Sequence, residues 1–312
     1  MGKTTTPVQV FVFAPEPLLT VTIEGGGPDK DVPEVHVHPG GQGIWLARMA
    51  ESLGAEVTVC GPFGGETGSV TAHLAREEGL DVRPTPGPAN GAYVHDRRDG
   101  ERTEIARKPG PVLDRHALDD LYGTALVTAL DAGVCILTGT EEPKGVPADF
   151  FERLASDLRA AGRTVVADLS GDQARALLEV EGCVLKMSDD ELVEGGFADD
   201  DEQDSLLAAA RALVDGGLGG VVVSLASGAS LAVDADGASA ITTPEVSTAD
   251  HRGAGDSMTA GIAVGLARGL SLAEAARLGA AAGALNVTRR GLGTGRGDQI
   301  ERFTAEVEVT PL

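Results

Sequence analysis

Aromatic side chains and cysteines are both scarce in this sequence. Aromatic residues make up 3% of the 312 residues, so alanine, valine and leucine must fill most of the interior. The three cysteines, Cys60, Cys135 and Cys183, lie far apart in apolar runs and form no CxxC pair. This excludes a disulfide-dense secreted scaffold and favours buried free thiols in a reducing cytoplasm.

Positive charge is also in short supply. The chain has 25 lysines and arginines against 48 acidic residues, which gives a formal net charge of -23. A surface this acidic repels nucleic acids and anionic membranes, so we expect neither as a partner. No apolar run is long enough to span a bilayer, and the N-terminal apolar run is too short for a signal peptide. An anionic substrate would have to be met by local positive groups such as helix N-termini, Mg²⁺ or a few Arg and Lys side chains.

Apolar strands alternate with helices through most of the chain, which predicts a mainly parallel α/β sheet. The sequence predicts a buried first strand over 8–13 and helices over 44–53, 67–78 and 272–288. Three prolines predict a loop over 81–90. Polar strands at 19–24, 35–38, 91–96 and 101–107 interrupt the rhythm, and we expect them to form a small sheet that projects from the main body.

The stretch from 247 to 268 carries the clearest chemical signal. Gly253, Ala254 and Gly255 lead into Asp256, and small apolar residues without proline then continue as a helix. Such a loop leaves backbone N–H groups open at the positive end of a helix, where anions bind. A carboxylate beside a cradled phosphoryl group can accept the proton of an attacking hydroxyl. The alternative is an ordinary glycine turn with an aspartate N-cap.

Two segments together resemble signatures of the ribokinase, or PfkB, family of carbohydrate kinases. Residues 40–47, GGQGIWLA, are similar to the family's GGKGxNxA motif, and residues 250–258, DHRGAGDSM, to its DTxGAGDxF motif. Shorter matches at 168–171, 185–192 and 223–229 follow in the family's order. Within the family, the chain resembles most the branch of 1-phosphofructokinase and tagatose-6-phosphate kinase.

The resemblance implies a ribokinase-like α/β fold over residues 1–312. It has a central, mainly parallel sheet with helices on both faces, and a small β-sheet lid formed by about 18–38 and 90–108. In the family such lids often pair, so the resemblance also implies a homodimer through the lid.

The implied activity is ATP-dependent phosphorylation of a hydroxyl on a small, sugar-like acceptor. Asp256 would be the general base, and the N–H groups of Gly253, Ala254 and Gly255 would stabilise charge on the moving phosphoryl group. Mg²⁺ would bridge the ATP phosphates, with Glu191 acting near it through water. The residues implied for the nucleotide side are Lys186, Ser224, Gly228, Arg252 and Asn286. For Arg252, an ordinary surface position is an equal alternative.

The acceptor side departs from the family's pattern. Gly40 and Gly41 remain, but Gln42 stands where the family has lysine, and Trp45 where it has asparagine. Leu18 stands where the related branch has a carboxylate that holds sugar hydroxyls. Because each lost contact to a charged group costs about 1.5–3 kcal/mol, we expect an altered acceptor. Trp45 and Leu18 could form an apolar platform for a less polar acceptor such as a nucleoside, unless Trp45 only packs in the core.

The sequence is also compatible with two other functions. The substituted sugar contacts also fit a nucleotide- or metabolite-binding protein with little or no turnover. Alternatively, the protein is a sugar-phosphate kinase in which Arg97, Arg98 or Arg107 of the lid supplies the missing contacts.

Overall fold

The computed structural model describes residues 7–25, 32–100, 102–140, 145–225, 228–289 and 291–312. Three sequence predictions fall partly outside these ranges: the turn that follows the strand at 19–24, the start of a strand at Glu101, and the family segment around 226–227.

The secondary structure alternates as the sequence pattern predicts. The strands are β1 (Gln9–Phe13), β2 (Leu18–Glu24), β3 (Glu34–Gly40), β4 (Glu56–Gly64), β5 (Asp81–Ala89), β6 (Gly91–Asp96), β7 (Thr103–Lys108), β8 (Val134–Thr138), β9 (Thr164–Asp168), β10 (Val184–Ser188), β11 (Gly220–Ser224), β12 (Ser230–Asp234), β13 (Gly237–Thr242) and β14 (Glu308–Pro311). The helices are α1 (Gln42–Ser52), α2 (Gly65–Glu77), α3 (Arg115–Ala129), α4 (Ala148–Ala160), α5 (Gly171–Leu177), α6 (Asp189–Glu194), α7 (Gln203–Asp215), α8 (Ala254–Ala267), α9 (Leu272–Val287) and α10 (Gly297–Thr304).

A ten-stranded sheet forms the main body, in the order β14-β13-β12-β11-β10-β9-β8-β1-β4-β5. From β5 to β11 all neighbouring strands run parallel, whereas β12, β13 and β14 add an antiparallel edge. No helix within the described ranges is long and apolar enough to cross a membrane.

The inner parallel strands, such as β1, β8 and β11, are buried along most of their length, because helices cover both faces of the sheet. In β1, Val10 and Val12 join the core formed with α1, α2, α8, α9 and α10, whereas Phe11 and Phe13 join the core formed with α3 to α7. The fold class predicted from the sequence is therefore confirmed. The three cysteines are free and buried, as predicted.

The predicted loop over 81–90 is wrong, because these residues form β5. This strand lies at the edge of the sheet and pairs only with β4. An edge strand tolerates proline, since the missing N–H groups need not reach a neighbouring strand. The prolines at 84, 86 and 88 indicate an edge strand here rather than a break.

A separate four-stranded sheet, which we call the lid, has the order β3-β2-β6-β7. Side chains alternate between its two faces. Thr20, Thr22 and Glu24 of β2 face the cavities described below, on the inner lid face. The prediction of polar lid strands is incomplete, because the outer lid face is apolar over β2 and β3. It is formed by Leu19, Val21, Ile23, Val35, Val37 and Val94, which are same-face neighbours across β2, β3 and β6.

Helices α8 and α9 approach each other closely because small residues line their contact. A Cβ atom on Gly261 of α8 would lie 2.5 Å from the Cα atom of Gly279 in α9. A Cβ on Gly279 would lie 2.5 Å from the carbonyl oxygen of Met258. This backbone contact fixes α8, whose N-terminus belongs to the candidate site.

Gly261→Ala should lower the free energy of unfolding by about 1–3 kcal/mol, because the added methyl group overpacks a backbone contact. The matched control is Gly123→Ala, at an exposed position of α3 where an added Cβ meets nothing within 4 Å. That control should gain about 0.5–1 kcal/mol from helix propensity. Urea denaturation of both variants measures the difference, and equal stabilities would contradict the close crossing.

Candidate active site

The loop before α8 has the geometry that its glycines predict. Gly253 is the N-cap residue of α8 and has φ 72°, in the left-handed region that favours glycine. Gly255 is needed for a different reason, since a Cβ there would lie 2.7 Å from Nζ of Lys186. The lack of a side chain at 255 therefore brings a cation close to the helix N-terminus.

Two cavities meet at this loop. The central cavity, of about 290 Å³, is lined by Asp256, Asp168 and Gln42 among others. The β11 groove, of about 370 Å³, is lined by Ala254, Gly255 and Lys186 together with the ends of β10 and β11. Glu191 lines both cavities. The α8 N-terminus thus lies on the boundary between two ligand-sized spaces.

A buried cation is held among carboxylates at this boundary. Lys186 and Asp168 are direct neighbours on β10 and β9, and Nζ of Lys186 lies 3.8 Å from Oδ1 of Asp168. Burial disfavours the charged amine, but the carboxylates of Asp168, Glu191 and Asp256 outweigh it and raise the pKa of Lys186. Lys186 therefore stays protonated and neutralises part of the surrounding negative charge.

The carboxyl group of Asp256 is less acidic than an ordinary aspartate. Desolvation by the surrounding protein and the charge of Asp168 raise the pKa of Asp256 to about 7. Lys186 and a hydrogen bond from the Gln42 side chain act in the opposite direction. A pKa near neutrality is the value that suits a general base at physiological pH.

Glu191 is fixed in position by the start of α6. The N–H of Ser188 donates to Oε2 of Glu191 at 2.8 Å, and the N–H of Glu191 donates to Oγ of Ser188 at 3.1 Å, which forms a capping box. The described residues include no cluster of three or more metal-ligating side chains. Mg²⁺ carried by a nucleotide typically needs only one or two carboxylates beside the phosphates, so the arrangement around Glu191 fits this ion.

The predicted nucleotide residues divide into two groups. Lys186, Ser224 and Gly228 line the β11 groove. Asn286 and Arg252 do not line it. Nδ2 of Asn286 donates to the carbonyl oxygen of Arg252 at 2.8 Å, and Oδ1 accepts from the N–H of Thr294 at 3.2 Å. The structure thus gives Asn286 a bracing position beneath the loop, and the charge of the exposed Arg252 acts on His95 and Arg102 beside the lid.

The predicted acceptor residues gather around the central cavity. Leu18, Gly41, Gln42 and Trp45 line it, and Trp45 also borders a further cavity under the lid. Gly40 is not part of the lining. A Cβ at Gly40 would lie 2.5 Å from Oγ1 of Thr20, so this glycine lets the lid strands approach.

Sequence reasoning missed two carboxylates of the central cavity. Glu16 lines it two residues before Leu18, so a carboxylate is present near the position where one seemed lost. Asp168 also lines it, and Oγ1 of Thr259 donates to Oδ2 of Asp168 at 2.6 Å. Glu16 lies three residues after the end of β1, and Asp168 is the last residue of β9. These positions were the available signal, because ligands bind at the carboxyl ends of the strands in open α/β sheets.

Thr259→Val should lower the free energy of unfolding by about 1.5–3 kcal/mol, because it removes a hydrogen bond to a buried charged group. The matched control is Thr71→Val, since among the described residues the buried hydroxyl of Thr71 donates to the Thr67 carbonyl of its own helix and to no charged group. We expect a loss below about 1 kcal/mol there. Urea denaturation measures both, and equal losses would contradict a special role for the bond between Thr259 and Asp168.

Comparisons with known proteins identify the family of this chain. The family model described as pfkB family carbohydrate kinase matches residues 19–298. The ATP-dependent 6-phosphofructokinase isozyme 2 of Mycobacterium tuberculosis is 34% identical over 275 residues, which cover 85% of this chain and 78% of that protein. The 1-phosphofructokinase of Bacillus subtilis is 26% identical over 277 residues, which cover 88% of this chain and 89% of that protein.

A similar structure is also known. The crystal structure of phosphofructokinase-2 from Escherichia coli in complex with fructose-6-phosphate superposes with a TM-score of 0.79 at 26% identity, over 96% of this chain and 98% of that one. The family match spans most of the sequence, and the M. tuberculosis relative exceeds 30% identity over most of the chain. The chain therefore belongs to the pfkB family of carbohydrate kinases.

Proposed function

We propose that this protein transfers the γ-phosphoryl group of ATP to a hydroxyl of a sugar or sugar phosphate, with Asp256 as the general base. The observation that carries the proposal is the position of Asp256 and Gly255 between the central cavity and the β11 groove. An acceptor in the first space and a nucleotide in the second would meet at the N-terminus of α8.

In the proposed reaction, the acceptor hydroxyl gives its proton to Asp256 as its oxygen attacks the γ-phosphorus. The bond from that phosphorus to the β–γ bridging oxygen breaks, and ADP leaves. The N–H groups of Gly253, Ala254 and Gly255 would stabilise the negative charge that spreads over the transferring group. The transfer needs no covalent intermediate on the protein.

The surrounding residues would hold the nucleotide in line with the acceptor. Lys186 supplies a positive charge beside the loop, and Ser224 and Gly228 border the groove. Mg²⁺ bound to the ATP phosphates would neutralise their charge. Glu191 would hold that ion through water, because one of its carboxylate oxygens already caps α6.

A polyhydroxylated acceptor fits the central cavity better than an apolar one. Glu16, Gln42 and Asp168 line it together with Thr138 and Thr140, which gives many hydrogen-bonding groups in a small space. Trp45 and Leu18 border the same cavity and would pack against the carbon face of a sugar ring. The printed names of the relatives, which are phosphofructokinases, support a sugar phosphate as the acceptor.

Asp256→Asn should lower kcat by about 10²- to 10⁴-fold on every acceptor that the protein phosphorylates. The base works only when ionised, so in the unchanged protein the rate should fall as the pH drops below about 7, the pKa of Asp256. Asp256→Asn should lack this acidic limb. An ATP-consumption screen with Mg²⁺ against hexoses, hexose phosphates, pentoses and nucleosides measures both effects. Retained ATP binding without turnover on any acceptor would instead support a binding protein.

Substitutions of Gln42 test whether the acidic limb of the pH–rate profile belongs to Asp256. Gln42→Lys places a cation beside Asp256, which favours the ionised carboxylate and should move the limb to lower pH. Gln42→Met removes the hydrogen bond and should move it to higher pH. Shifts in the same direction, or none, would assign the limb to another group.

We also propose that two copies of the chain associate through the outer lid face. Val35 and Val37 on this face are 61% and 42% exposed. Covering such a patch with a second copy would remove apolar surface from water. A solved phosphofructokinase-2 from Escherichia coli is described as tetrameric, which supports assembly within the family.

Val37→Asp should therefore shift the protein from dimer to monomer in sedimentation velocity, because it buries an unpaired charge in the contact. The control is Val127→Asp, at a 68% exposed position of α3, which packs on the main sheet, and it should leave the dimer intact. A Val37→Asp protein that stays dimeric would contradict the proposed contact.

A further inference from the structure

A third cavity has no role in the proposed phosphoryl transfer. This lid cavity, of about 480 Å³, lies between the inner lid face and the main body. Thr20, Thr22, Glu24, His38, Arg97 and Arg102 form its lid wall. Trp45 and Arg48 of α1, with residues 291, 292 and 294, form the opposite wall. Trp45 borders both this cavity and the central cavity, so the two are neighbours.

Two of the three arginines that line the lid cavity have protein partners. Arg48 donates to both carboxylate oxygens of Glu78, at 2.8 and 3.0 Å, and to the carbonyl oxygen of Leu292 at 2.6 Å. Arg97 forms an ion pair with Asp250, and its Nη1 lies 3.9 Å from Oε1 of Glu24. These two guanidinium groups are therefore largely committed to carboxylates.

Arg102 differs from both. Its Nε atom is buried, and it has no hydrogen-bond partner within the described part of the chain. Burial and the positive charges of Arg252 and Arg97 lower the pKa of Arg102 to about 10, whereas the carboxylates of Asp250 and Glu104 act in the opposite direction. A guanidinium withdrawn from water beside like charges is costly unless an anion compensates it.

Neighbouring polar groups are also unsatisfied. Oγ1 of Thr20, in the cavity wall, is buried and has no hydrogen-bond partner among the residues that the structure describes. The same holds for both ring nitrogens of His95, which is 4% exposed. Burial and the charges of Arg102, Arg252 and Arg97 lower the pKa of His95 to about 4, so the ring is neutral and adjoins the arginine cluster.

We propose that the lid cavity binds the phosphate monoester group of a small molecule, and that Arg102 is its principal ligand. A guanidinium offers a planar fork of donors that matches phosphate oxygens, and charge-assisted hydrogen bonds of this kind are strong. The hydroxyl groups of Thr20 and Thr22 lie on the same wall and can donate to the remaining oxygens.

The phosphate group can belong to either of two molecules. It is carried by the acceptor itself, extending past Trp45 from the central cavity, or by a separate phosphorylated metabolite. The first assignment rests on the proposed kinase function. The anion site itself does not depend on the kinase function, so phosphate binding and turnover are tested in separate experiments.

The binding test uses inorganic phosphate and the fluorescence of Trp45, the only tryptophan of the chain. Phosphate should change the emission of the unmodified protein. Arg102→Gln should weaken this binding about 10- to 100-fold, the loss expected for a hydrogen bond to a charged group. Arg102→Lys should restore part of it by returning the charge. The control is Arg98→Gln, at an exposed arginine of the same lid that is paired with Asp96, and it should bind as the unmodified protein does.

Thermal unfolding of all variants shows whether each is folded. If Arg102→Gln does not fold, Arg102→Lys still tests the site. Phosphate bound at the α8 N-terminus would be unaffected by these substitutions. No phosphate-dependent change in the unmodified protein, or equal binding by all variants, would overturn the site. Neither result bears on Asp256, so the proposed kinase function would stand or fall on its own experiment.

Steady-state kinetics distinguish the two sources. If the acceptor carries the phosphate, Arg102→Gln should raise KM about 10- to 100-fold for phosphorylated acceptors only, with little change in kcat, and inorganic phosphate should compete with them. If a separate metabolite carries it, phosphate should alter the rate without competing with the acceptor. Either pattern supports the site.

Discussion

The site depends on keeping one cation, Lys186, charged and buried among three carboxylates. Without it, Asp168, Glu191 and Asp256 would repel one another in a region with little water, and at least one would have to take up a proton. Two structural features make room for the amine. Lys186 and Asp168 face each other on parallel strands, and Gly255 lacks the side chain that would displace the nitrogen. The lack of a side chain in the loop at Gly255 and the placement of charges on β9 and β10 therefore depend on each other.

The parallel sheet places this cluster where it can meet two ligands. The polar residues of the central cavity follow or end neighbouring strands: Glu16 after β1, Thr138 at the end of β8 and Asp168 at the end of β9. Such strand ends form a crevice in open α/β sheets. Helix α8 then directs its N-terminus into that crevice, and the glycine contact with α9 holds it in place. The main sheet positions the charged groups, whereas the lid completes the walls of the central cavity.

The fold class and the loop before α8 could be predicted from the sequence, because both depend on local patterns of residues. Alternating strands and helices predicted the fold class, and Gly253 to Asp256 predicted a glycine loop that leads into a helix. The helix begins at Ala254, two residues before the predicted start at Asp256. What could not be predicted depended on neighbours. The prolines of β5 are tolerated only because that strand lies at an edge. The family resemblance implied nucleotide contacts for both Asn286 and Arg252. It could not show that Asn286 braces the loop or that the charge of Arg252 acts on Arg102 of the lid. Glu16 was not predicted, because the related branch has its carboxylate at the position of Leu18, two residues later.

The alternation of side chains along β2 separates two properties that a single strand contributes to. Thr20, Thr22 and Glu24 touch what lies beneath the lid, whereas Leu19, Val21 and Ile23 touch what lies above it. In the proposed dimer, a substitution at an odd-numbered position would alter association between copies, whereas one at an even-numbered position would alter the proposed ligand sites. Divergence within this seven-residue strand can therefore proceed along two independent lines, so that descendants of one ancestor could exchange substrates without losing their quaternary structure.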